Sequence, residues 1–215
     1  MPSATDHSVP RKGPAYRIVT ERLVIRCWNP DDAPLLKSAK DASRDHLLPW
    51  MPWAASIPEE LESEIKRLRH FRAEFDQDRE YIYGIFDREE TQALGGTGLH
   101  PHVGEGAMEI GYWIHGGWIN QGLATETSAA LTRVAFDIMG VDRVEIHCDP
   151  LNVSSASVPR KLGFVHEATL RRRVPIGDGE QRDAMIWSMM WDEYRETAAA
   201  QAEIEAFDVI GKRIV

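Results

Sequence analysis

Residues 118–140 read WINQGLATETSAALTRVAFDIMG, and the fold turns on them. Leu131, Val134, Ala135 and Ile138 recur at helical spacing, and Gly140 stands where a C-terminal cap belongs. The start of this helix carries the smallest residues. The first N–H groups of a helix lack internal partners, and the macrodipole adds positive potential there. An anion can dock on them if the side chains let it approach. Gly122 permits that approach, Ala124 keeps the next turn slim, Thr125 adds a hydroxyl, and Glu126 is an acid in the first turn. A glycine near a helix start also serves as an ordinary turn residue, and that reading stays open here.

Upstream, AMEIGYWIH (107–115) is a strand, and downstream RVEIHCD (143–149) is another, with Val144, Ile146 and Cys148 on one face. SSASVPRKLGF (154–164) reads as a short helix ending near Gly163, and residues 168–191 as two strands around a Gly-Asp-Gly turn. Nearer the start, RLVIRCW (22–28) alternates as a half-buried strand, and PDDAPLLKSAKD (30–41) opens like a helix. HLLPWMPWA (46–54) is broken by Pro49 and Pro52 and places Trp50 and Trp53 on a loop. Leu61, Ile65, Leu68 and Phe71 mark a second helix; YIYGIFD (81–87) and the glycine-interrupted ALGGTGLHPH (93–102) are strands. The order β α α β β β α β α β β predicts a mixed α/β sheet in one domain over residues 16–195. Residues 1–15 read as a flexible tail without the apolar segment of a signal peptide, and residues 196–215 as a helical extension.

The chain has 215 residues, 43% hydrophobic and 27% charged, enough for a sizeable core. A net charge of −9 disfavours a grip on nucleic acid through phosphate neutralisation. No run approaches the roughly 18 apolar residues of a membrane span. Cys27 and Cys148 form no metal-ligand or CxxC pattern and are expected to be buried thiols in a reducing cytoplasm. The histidines make no matched ligand set, so no metal is expected.

TERLVIR, LLPWMPW, EIGYWI, QGLATET and DPLNVSSASVPRKLGF, in this order over residues 18–190, resemble the GNAT superfamily of N-acetyltransferases. More closely they resemble its ribosomal-protein-alanine acetyltransferase (RimJ/RimL-like) branch. The resemblance implies a single GNAT domain, a mostly antiparallel sheet with splayed central strands flanked by helices, and transfer of acetyl from acetyl-CoA to a primary amine. It implies that the pantetheine arm lies between the strands of Glu109 and Cys148, bonded by backbone near Trp113 and Ile114. The pyrophosphate would sit on the N–H groups around Asn120, Gln121, Gly122, Leu123, Ala124 and Thr125. Asn152 would contact the pantetheine, and the Ser155 hydroxyl would reach the sulfur, with Ser154 its near competitor; both Asn152 and Ser155 also suit helix caps. The branch adds a homodimer to the expected partners, which otherwise are acetyl-CoA and the amine acceptor.

Two residues depart from the family pattern. Ile119 stands where the phosphate loop often has Gln or Arg, and Pro159 falls inside the short helix. Glu109 is the preferred general base, with His100, His102 and His115 as competitors. Tyr112 and Trp113 alternate on their strand, so only one can face the cleft; Tyr112, Trp50 and Trp53 are candidates for the acceptor site. The run Arg171, Arg172, Arg173 is expected to be a solvated strand face. The alternative to an enzyme is a non-catalytic acyl-CoA-binding module on the same fold; a scaffold using the C-terminal helix is a third reading.

Overall fold

The computed structural model describes residues 13–177 and 180–215. Most of the expected tail, and Asp178 and Gly179 of the expected turn, lie outside the described residues. In chain order the elements are β1 (Arg17–Val19), β2 (Val24–Cys27), α1 (Ala33–Asp41), α2 (Arg44–Leu47), α3 (Leu61–Asp76), β3 (Tyr81–Phe86), β4 (Ala93–His100) and β5 (Ala107–Ile114). There follow α4 (Leu123–Arg133), β6 (Arg143–Cys148), α5 (Val153–Leu162), β7 (Val165–Gly177), β8 (Glu180–Met190), α6 (Trp191–Tyr194) and β9 (Glu205–Phe207). The strands form one sheet in the order β7-β8-β6-β5-β4-β3-β2-β1-β9. Every neighbouring pair is antiparallel except β5 with β6. That one parallel pair needs a crossover, which α4 supplies.

Each face of the sheet has its own apolar layer. Ile110, Ile114, Val144 and Ile146 bury toward α4 and α5, joined by Leu131, Val134 and Leu162. On the other face Trp28, Leu36, Leu68 and Phe86 pack under α1 and α3. Four side chains between α1 and α3 form a buried ionic knot. Lys40 Nζ is 2.5 Å from both Glu59 and Glu64, and Arg67 reaches Glu59 at 2.6 Å and Glu64 at 3.1 Å. Burial would raise the Glu59 carboxyl, but Lys40 and Arg67 outweigh it and hold it below its ordinary value.

Several local readings differ from the sequence expectation. The expected helical extension is absent: after α6 the chain makes turns, and β9 pairs with β1 to extend the sheet edge. Alanine favours helix, but Ala199 and Ala206 are fully buried, so packing decides. Pro159 does not break α5, which runs from Val153 to Leu162. The strand expected at 22–28 is β2, and β1 precedes it as its antiparallel partner.

Candidate active site

β5 and β6 pair at only three positions: Ala107 with Arg143, Met108 with Val144, and Glu109 with Glu145. Beyond them β5 stays bonded to β4 as far as Ile114, and β6 stays bonded to β8 as far as Cys148. Both strands continue but apart from each other, so a wedge opens between them. At its mouth lies the start of α4. Gly122 adopts φ +80°, a left-handed conformation that glycine takes without steric cost, and turns the chain into the helix. No side chain caps this end, and among the described residues no acceptor serves the N–H groups of residues 121–125. A Cβ on Gly122 would meet only Arg22 Nη2, at 3.6 Å. The N–H groups expected to receive an anion are therefore left without a protein acceptor among the described residues. Asn120, also with φ above zero, and Gln121 are exposed beside it, while the Leu123 side chain turns into the core.

Arg22 was not singled out in the sequence. Its guanidinium donates to Glu126 (Nε 2.7 Å, Nη2 2.6 Å) and to the Gln121 carbonyl (2.9 Å). Thr20 Oγ1 also donates to Glu126, at 2.6 Å. Two of the recognised stretches, TERL and QGLATET, are thus one clamp. It puts an Arg–Glu ion pair beside the helix start, where Ile119 supplies no polar group. Only the fold joins positions 22 and 122, so no local spacing could have disclosed this.

At the inner end of the wedge, Asn152 Oδ1 accepts the Ser155 N–H at 3.0 Å and caps α5. Tyr112 lies on the β5 face toward α4 and α5, opposite Trp113. Its hydroxyl is 3.1 Å from both the Ser155 carbonyl and the Ser155 Oγ. This explains how α5 carries a proline. A helical residue donates its N–H to the carbonyl four positions back, and Pro159 has none for Ser155; Tyr112 serves that carbonyl instead. The Tyr112 hydroxyl thus joins Ser155, and Tyr112 is also among the residues lining the cavity described below. Burial pushes its hydroxyl far above the ordinary tyrosine range. Cys148, raised mainly by burial, is a neighbour of Ser155 and Trp187. Both cysteines are free and buried. The Ile114 carbonyl is engaged by His46 Nε2 at 3.0 Å.

The opposite face of β5 carries Glu109, Gly111 and Trp113. Glu109 Oε2 is 3.0 Å from His102 Nε2 and 3.3 Å from His147 Nδ1. His147 Nε2 in turn meets Glu145 Oε2 at 2.6 Å, and Arg143 Nε meets Glu145 Oε1 at 2.6 Å. Glu109 is four-fifths buried, at 18% exposure, and among the described residues no hydrogen-bond or ion-pair partner meets its Oε1. One carboxylate oxygen is thus held and the other is left open. His147 is the second residue the sequence reading missed. The alternation 143, 145, 147 placed it opposite the apolar face of β6, but only the parallel register sets it against Glu109.

Among the other candidate bases, His100 packs its ring on Gly98 and Gly111, 3.7 Å from Glu80. His115 caps the turn after β5 by accepting the Gly117 N–H, and burial beside His46 lowers its pKa. Donor atoms of Glu80, His100 and His102 fall within 4.8 Å of one another. Ligands about 2.0–2.1 Å from a tetrahedral zinc sit roughly 3.3 Å apart, so this trio is looser than a formed site. Trp53 and Trp113 wall a cavity of about 360 Å³ on the Glu109 face. Trp50 is not among its lining residues and packs instead beneath Arg182, 5.8 Å away. Arg171, Arg172 and Arg173 are exposed on β7. No helix among the described residues is long and apolar enough to cross a membrane.

Comparison with known proteins agrees with this fold. The acetyltransferase (GNAT) domain family matches residues 22–165. The [ribosomal protein uS5]-alanine N-acetyltransferase of Escherichia coli (strain K12) is 26% identical over 182 residues, which cover 82% of this chain and 91% of that protein. Two solved structures share the fold. RimJ of Mycobacterium smegmatis, in complex with CoA-disulfide, superposes with a TM-score of 0.71 at 23% identity, covering 83% of this chain and 87% of that one. The microcin C7 self-immunity acetyltransferase MccE, in complex with acetyl-CoA and AMP, gives 0.73 at 18% identity, covering 80% and 93%.

Proposed function

Because the chain belongs to the GNAT acetyltransferase family, we propose that it moves the acetyl group of acetyl-CoA onto a primary amine by direct attack in a ternary complex. The observation that carries this reading is the parting of β5 from β6 immediately after Glu109. It leaves a slot open at both faces, with bare helix donors on one and a half-free carboxylate on the other. Acetyl-CoA bound in MccE and the amine chemistry of the Escherichia coli relative support the two halves of the reaction.

On the α4 side, the N–H groups of residues 121–125 receive the diphosphate, with Arg22 beside them. The dipole and unpaired donors favour an anion there. The pantetheine runs along the unpaired edge of β5 past Trp113 and Ile114, and its sulfur comes to rest near Ser155. Asn152 keeps its cap and offers its amide N–H groups to the arm. On the other face the amine approaches Glu109. The nucleophile must be neutral: a free α-amine, pKa about 7.7–8.0, is roughly a third neutral near pH 7.5, an ordinary Lys only about 0.1%. The nitrogen lone pair attacks the thioester carbon and the carbon–sulfur bond breaks. The nitrogen's surplus proton passes to Glu109 Oε1, and the sulfur leaves as thiolate with the Ser155 hydroxyl in hydrogen-bond reach. Juxtaposition supplies much of the acceleration, and a positioned base about 10²–10⁴-fold.

The test is CoA release with acetyl-CoA and a panel of primary amines, together with thermal stability with and without acetyl-CoA. Amine-dependent release with ligand-dependent stabilisation is the expected result. Stabilisation without release under any amine would reduce the chain to a binding module, and neither effect would remove acetyl-CoA from the account.

A further inference from the structure

We propose that the acceptor amine carries an aromatic ring, and that the cavity on the Glu109 face of β5 holds that ring. The inference rests on the transfer reading above and names the substrate class for the same site.

The cavity begins with glycines. Gly96 and Gly98 of β4 and Gly111 of β5 lie on the Glu109 face of the sheet, in register with Trp113, Gly111 and Gly98 respectively. A Cβ on Gly96 would stand 2.6 Å from Trp113 Nε1, and one on Gly98 2.6 Å from His100 Nε2. Those rings therefore rest on bare backbone, and the space above the sheet remains free. Trp113 and Trp53 stand edge to face, centroids 5.8 Å apart and planes at 67°, and so make a corner. A flat ring can stack on one wall of such a corner and present its edge to the other, a geometry worth about 0.5–1.5 kcal/mol beyond buried area. Phe71, Leu36 and Met51 complete an apolar enclosure. A volume of about 360 Å³ stands at the small end of ligand sites.

Charge selection is absent from the walls. Lys40 and Arg67 are the cationic groups lining the cavity, and both are bound to Glu59 and Glu64, so two positive and two negative charges cancel. Lys40 Nζ lies 5.6 Å over the Trp53 ring, which leaves its remaining reach turned to that face. An acidic acceptor would find no unpaired cation among the described lining residues, whereas a polyamine would find the Glu80 and Glu109 carboxylates beyond them. The reacting end is fixed by geometry: His100 lines the cavity and is the cross-strand partner of Glu109. A substrate lying along β5 with its ring against Trp113 would point its nitrogen toward the carboxylate, four residues away on the same face. Both a free arylethylamine and the α-amine of an N-terminal aromatic residue place two carbons between nitrogen and ring.

The experiment compares kcat/KM within matched pairs: phenethylamine against n-hexylamine, and a Phe-initiated tetrapeptide against its Ala-initiated form. Spermidine serves as the polycation. At least tenfold preference for the aromatic member of one pair is expected, and the pair that shows it identifies the source. Trp53→Ala should bring the ratio toward one, while Trp53→Phe restores it; matched melting temperatures show that both variants fold. Equal rates within both pairs, or preference for spermidine, overturns the proposal while leaving acetyl transfer intact. Calorimetric binding of phenethylamine and of the Phe-initiated tetrapeptide to the protein without acetyl-CoA is read separately. If binding persists and no amine releases CoA, the transfer reading fails and the cavity assignment survives; if neither phenethylamine nor the Phe-initiated tetrapeptide binds, the cavity assignment fails.

Discussion

On the α4 side of β5 the wedge offers main-chain donors, one cap and little chemistry in the side chains. On the other side it offers almost nothing but side chains: Glu109, His102 and His147 around the carboxylate, Trp53 and Trp113 at the cavity. The first side comes mainly from residues 121–125 and 152–155, with Arg22 and Tyr112 set against them. The second is gathered from β3, β4, β5, β6, α1, α3 and the loop before α3. A ligand common to many proteins can be met by backbone, which any suitably small sequence presents. A selective acceptor must be met by side chains brought together from afar. The two faces should therefore fail independently when mutated, and each variant below tests that separation.

Glu109→Gln is expected to have the largest effect. It keeps size and the contact to His102 but removes the proton acceptor, so kcat should fall at least tenfold, within the range for general base catalysis. The dissociation constant for acetyl-CoA, measured by calorimetry, should stay within twofold. Unchanged turnover would rule Glu109 out as the base. Weakened acetyl-CoA binding would show that the faces are coupled through the short β5–β6 pairing.

Arg22→Met probes the opposite face. The KM for acetyl-CoA should rise about tenfold with little change in kcat, and the difference should shrink as salt screens the contact. Acetyl-pantetheine, which lacks the diphosphate, is the discriminating substrate. If its kcat/KM is unchanged, Arg22 acts on the phosphates. If it falls in step with acetyl-CoA, Arg22 does no more than hold Glu126 and the helix start.

How far the sequence discloses each face follows from the same contrast. The helix start at Gly122, the strand alternation around Glu109 and Val144, and the Asn152 cap are local patterns; each was readable because period, glycine and cap act within a few residues. Their order supplied the fold and the family, and the family domain match bears that out. Arg22 and His147 were invisible because nothing in TERL or VEIH says what lies across the sheet. Trp50 and Trp53, three residues apart, show the limit most clearly: one lines the cavity and the other lies under Arg182. The C-terminal segment, expected to be helical, instead sends β9 to the free edge of β1, a pairing that no local pattern discloses.

Ser155→Ala should give the smallest effect, a few-fold loss in kcat with acetyl-CoA affinity unchanged. A thiol near pKa 8.5 leaves readily as thiolate, so an acid at the sulfur has less to contribute than a base at the amine. The substitution keeps the N–H that Asn152 caps and the carbonyl that Tyr112 serves, so the helix should be untouched. Tyr112→Phe is the companion. It removes the donor from the one carbonyl Pro159 leaves unserved, at a cost of about 1 kcal/mol in stability. A lower melting temperature for Tyr112→Phe but not for Ser155→Ala, with slower transfer in both, would assign the hydroxyl pair to the reaction and the carbonyl contact to the fold. Equal kinetics in Ser155→Ala and the wild-type protein would leave Ser155 a helix residue only, and the wedge would then act on the sulfur through shape alone.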